Sequence, residues 1–61
     1  MTQVVTLKNT QGDIYEAIKE WPQEPWILNY PRGAQRFYGT RPQVTALLKS
    51  LIKVHLEEDA E

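Results

Sequence analysis

Two periods of apolar and polar positions alternate along this chain, and the changes of period are the first guide to its architecture. "QVVTLK", residues 3–8, holds two Val and a Thr and reads as a strand. "NTQG" follows as a turn, with Gly12 free to take positive φ. "DIYEAIKEW", residues 13–21, then places Ile14, Ile18 and Trp21 at helical spacing. Asp13 can cap a first turn, with Glu16 three residues later as in a capping box. Glu, Ala and Lys are good helix formers. The pattern predicts a short helix that Pro22 ends. The same stretch would also serve as the second arm of a hairpin turned by "NTQG"; the helix is the preferred reading.

After the connector "PQEP", "WILNY" and "QRFYG" read as strands joined through "PRGA". Pro31 presets φ and Gly33 supplies the left-handed position, so the two form a hairpin. Alternation puts Trp26, Leu28 and Tyr30 on one face and Ile27 and Asn29 on the other. On the second arm, Arg36 and Tyr38 share a face opposite to Phe37. The clearest element is "GTRPQVTALLKSLIKVHL". Thr40 and Gln43 have the spacing of a capping box, and Pro42 falls in the first turn, where a missing N–H is harmless. Val44, Leu47, Leu48, Leu51, Ile52 and His55 line one face of an amphipathic helix, with Ala46, Lys49, Ser50 and Lys53 opposite.

The predicted fold class is α+β in β-α-β-β-α order. A small three-stranded sheet is covered by the C-terminal amphipathic helix. Val5, Leu7, Trp26 and Leu28 supply the sheet side of the core. Burying one aliphatic side chain is worth roughly 1.5–3 kcal/mol. The helix face is therefore either the domain core or a dimer seam. Residues 1–61 make a single small domain. The acidic tail, residues 57–61, crowds the negative end of the helix dipole and is expected to fray.

Charge changes the picture, because its total of −1 conceals a basic segment between two acidic ones. Residues 30–44, "YPRGAQRFYGTRPQV", hold three Arg and no acid, while "EEDAE" closes the chain with four acids. Arg can grip phosphate through paired, charge-assisted hydrogen bonds, and aromatic rings can stack on unpaired bases. Tyr30, Arg32, Arg36, Tyr38 and Arg41 are accordingly the candidate partner-binding residues.

Other chemistry is sparse. There is no Cys, hence no disulfide or thiolate metal site, and the lone His55 cannot build a His-rich one. Nucleophile elbows, phosphate loops and HExxH are missing, and Glu16 with Glu20 reads as a solvated pair. His55 reads as a hydrogen-bonded residue at the rim of the core. No cofactor or catalytic role is expected. The N-terminus lacks a signal-peptide pattern, no apolar run would span a bilayer, and zero Cys fits a reducing cytoplasm.

A chain this short buries only about 60% of its unfolded surface, and self-association is the one usual support left open. The function expected is therefore non-catalytic binding to a protein, with a homo-oligomer as one form of it. Two Trp, three Tyr and the Arg residues are the kinds that anchor interfaces, and an edge strand from residues 3–8 or the "QRFYG" arm could pair across a two-fold axis. The alternative is nucleic-acid binding through the hairpin of residues 30–44.

Overall fold

The computed structural model describes residues 2–59. Its elements are β1 (Gln3–Lys8), β2 (Ile14–Lys19), β3 (Trp26–Tyr30), β4 (Gly33–Phe37) and α1 (Arg41–Asp59). The strands form one antiparallel sheet in the order β1-β2-β3-β4, so each pairs with its neighbour in the chain. The class is α+β, as expected, but the sheet has four strands and the order is β-β-β-β-α.

The correction lies in residues 13–21. Ile14 and Ile18 are four apart, a spacing that one helix face and one strand face share. What separates the two periods is the pair between them. Tyr15 and Ala17 are buried, while Ile14 is exposed and Ile18 half-exposed, which is the period of a strand. Asp13 does not cap a helix. Its carboxylate accepts from Asn9 Nδ2 at 3.1 Å in a turn that Asn9 organises. Asn9 Oδ1 accepts the backbone N–H groups of Gln11 and Asp13 at 2.9 and 2.8 Å. Gly12 closes the turn at φ 86°, a conformation that favours glycine. This local hydrogen bonding outweighs the helix propensity of Glu, Ala and Lys.

The second hairpin forms where the sequence placed it, but its second arm is Gly33–Phe37 rather than residues 35–39, because pairing begins at Gly33 directly after the turn. Tyr30 pairs with Gly33, leaving Pro31 and Arg32 as a two-residue loop. After β4 the chain crosses the end of the sheet through Tyr38 and Gly39 and enters α1. Thr40 N–H donates to Gln43 Oε1 at 2.8 Å, and Gln43 N–H donates to Thr40 Oγ1 at 3.3 Å, the reciprocal capping box read from the sequence. Two contacts orient the helix. Arg41 donates to the Val4 carbonyl on β1 at 3.1 Å, and Arg32 in the β3–β4 loop pairs with Glu58. The helix thus starts near one edge of the sheet and ends near the other, crossing it diagonally.

One face of the sheet lies under this helix. Val5, Tyr15, Ala17, Trp26 and Leu28 are buried with Val44 and Leu48 from α1. Leu7, Tyr30, Phe37, Leu47, Leu51 and Ile52 pack around them. Trp26 satisfies its indole N–H on the Gly39 carbonyl at 3.0 Å, which ties the crossing segment to the core. The helix reaches Asp59, so Glu57 and Glu58 are helical; the remainder of the acidic tail, residues 60–61, lies outside the described residues.

Candidate interaction face

The sheet has a second face that no element among the described residues covers. Register sets its composition. Across one row, Val4 lies beside Ile18, Ile18 beside Ile27, and Ile27 beside Arg36. The next row runs Thr6, Glu16, Asn29 and Ala34. Ile14 lies beside Lys8 at the far end of β1 and β2. Val4, Ile14 and Ile27 are 45%, 50% and 39% exposed, so aliphatic side chains stand in solvent over three adjacent strands. A shallow depression on this face is lined by Ile18, Glu20, Glu24, Pro25, Ile27 and Asn29. An aliphatic row thus carries acids along β2 and the β2–β3 connector, and a guanidinium at its β4 end.

The five residues singled out in the basic-aromatic hairpin do not share one surface. Arg32 sits at the tip of the β3–β4 loop and is engaged by Glu58. Arg41 lies at the other end of the sheet, spent on the Val4 carbonyl. Tyr30 belongs to the helix-covered face, where its ring stacks on Tyr15 at 5.8 Å and its hydroxyl donates to Gln35 at 3.3 Å. Arg36 alone of the three Arg lies on the open face, and no hydrogen bond or ion pair among the described residues engages it. Tyr38 falls one residue beyond β4 with the same parity as Arg36, and it is 74% exposed. Arg36 and Tyr38 therefore border the aliphatic row, while Tyr30, Arg32 and Arg41 face other neighbours.

His55 is at the rim of the core, as its position on the helix face implied. Its Nδ1 shares a 2.9 Å hydrogen bond with the hydroxyl of buried Tyr15, and its ring lies 5.6 Å from that of Tyr30. This trio closes the core below the β3–β4 loop. Among the described residues, no three acids or His gather as metal ligands, and no helix is long and apolar enough to cross a membrane. Comparison of the chain with protein-family models, with curated proteins and with solved structures finds no match.

Sequence reasoning set Ile27 opposite to Trp26 and Leu28 but missed Val4, Ile14 and Ile18 as its neighbours on one open face. The signal was present in the odd–even alternation of residues 14–18 and 26–30 taken together. Read as two strands, they put Ile14, Ile18 and Ile27 on the side opposite to Trp26 and Leu28.

Proposed function

We propose that this chain is a small non-catalytic binding protein. Its partner is another protein, and its contact surface is the open sheet face from Val4 through Ile18 and Ile27 to Arg36 and Tyr38. The observation that carries the reading is the asymmetry of the sheet. One face is sealed by α1, and the other carries exposed aliphatic side chains over β1, β2 and β3. The water-facing side of an antiparallel sheet ordinarily alternates to polar residues. Contiguous exposed apolar surface with a polar border is the composition of a protein contact site.

The experiment is photo-crosslinking in cells. A benzoylphenylalanine is placed at Ile27 in one variant and at Ser50, on the exposed side of α1, in another. Adducts formed from position 27 and absent from position 50 support the reading. Equal yields, or none from position 27, contradict it.

Nucleic-acid binding is favoured by one observation, exposed Tyr38 two residues from exposed Arg36. Glu16, Glu20 and Glu24 stand on or beside the same face and repel phosphate. A phosphate site would lose affinity steeply between about 50 and 200 mM salt. Such loss, measured by fluorescence anisotropy with labelled DNA and RNA and abolished by Arg36→Ala, would replace the protein reading with this one.

A further inference from the structure

Resting on that reading of the open face, we infer that its occupant is a second copy of this chain. Two sheets pack face to face about a two-fold axis that runs parallel to the strands between β2 and β3.

The argument is one of self-complementarity. The aliphatic row straddles the midline of the sheet, with Ile18 on β2 and Ile27 on β3 directly beside each other. An axis between these strands lays each copy's Ile18 over the other's Ile27. It also lays β4 of one copy over β1 of the other, so the stem of Arg36 covers Val4. The guanidinium then sits one strand away from β2, which carries Glu16 on one side of the Ile18 row, with Glu20 just past the end of the strand on the other. Arg36 is separated from that strand by all of β3 within its own chain. The two-fold operation halves the lateral separation, from two strand spacings to one, and turns the opposite charges toward each other at both ends of the interface. An axis across the strands does the reverse. Centred on the same row, it stacks Val4, Ile18 and Ile27 on their own copies and sets Arg36 against Arg36. At the Val4–Arg36 row charge favours the first orientation, and the contact is isologous and closed.

Size limits the dimer to low affinity. Strands about 4.8 Å apart and about 3.4 Å per residue give a face of roughly 15 by 18 Å. Two such faces packed at the spacing of about 10 Å usual for aligned sheets cover roughly 500 Å² of flat area in all, below the usual specific interface, so the contact is a weak one. The dimer accordingly forms only at high protein concentration and leaves α1 on the outside of each copy.

Sedimentation equilibrium over about 10–500 µM, a range suited to a small interface, tests this on the full chain. Wild type is expected to move from 7.1 kDa toward twice that mass. Ile27→Asp is expected to weaken the dimer by about tenfold or more, the size of losing one interface anchor. Circular dichroism of that variant shows that the fold is retained. Arg36→Glu is expected to weaken the dimer too, and adding Glu16→Arg with Glu20→Arg to restore it. That rescue separates a charge contact from general damage.

A wild type that is monomeric throughout overturns the second copy. So does a dimer that tolerates Ile27→Asp and is lost in Gln35→Pro, which places the contact at the β4 edge. The crosslinking experiment separates this failure from that of the parent reading. Adducts from position 27 at twice the chain mass fit both. Adducts of other masses beside a monomeric wild type sink only the second copy. The absence of any adduct sinks both.

Discussion

At the scale of residues, this fold depends on a few positions where a backbone group and a side chain hold one another. Gly39 is the tightest of them. The segment from β4 to α1 passes so closely over its surroundings that a Cβ there would lie 2.7 Å from the Phe37 ring and 2.6 Å from Gln43 Oε1. Both neighbours are committed. Phe37 packs on the core, and Gln43 closes the capping box on Thr40. Gly39→Ala is therefore expected to cost about 1–3 kcal/mol, the usual range for overpacking. Urea unfolding measures it, and a loss below about 0.5 kcal/mol, typical of an unconstrained surface site, would contradict the close approach. Gly12 needs glycine for a different reason. Its surroundings are open, and the requirement is its φ of 86°.

Elements differ in how much of themselves the sequence reveals. α1 was legible because three independent signals agree: the capping box, Pro42 in the first turn, and a face from Val44 to His55. β3 was legible because Trp26 and Leu28 alternate with Ile27 and Asn29. β2 was not, because Ile14 and Ile18 satisfy both periods and the residues around them favour a helix in isolation. The decision came from outside the segment, through the Asn9 turn and the pairing of β2 between β1 and β3. Helix packing can be tested at Leu48, which is fully buried against the sheet. Leu48→Ala is expected to cost about 2–5 kcal/mol. At about 0.05–0.15 kcal/mol per residue, the 61-residue chain has only about 3–9 kcal/mol in all. Thermal melts should show a large fall in Tm for Leu48→Ala. Val54→Ala, at a 47% exposed site of the same helix, should change it little. Equal effects would contradict the assignment of α1's buried side.

For the whole molecule, the open sheet face is the feature that local patterns could not show. Which side of a strand meets water depends on the register of its neighbours, and the row Val4–Ile18–Ile27–Arg36 draws one residue from each strand. Treating residues 13–21 as a helix removed β2 from that row and left the remaining residues without a surface to share. The basic-aromatic hairpin stood out in the sequence because its charges are contiguous in the chain. In space they separate, since Arg32 pairs with Glu58 near the end of α1, Arg41 at its start donates to the Val4 carbonyl, and only Arg36 and Tyr38 border the open face. The same sheet that builds the core on one side thus offers a second, smaller apolar surface on the other.

The most direct test of that surface and its occupant is methyl protection in solution. Methyl relaxation caused by a water-soluble paramagnetic probe is recorded for Val4, Ile18, Ile27 and Val54 as protein concentration rises through the range where a small interface fills, about 10–500 µM. Face-to-face pairing predicts that Val4, Ile18 and Ile27 become protected with concentration while Val54, on α1, stays as accessible as before. Relaxation of all four methyl groups that does not change with concentration would contradict it.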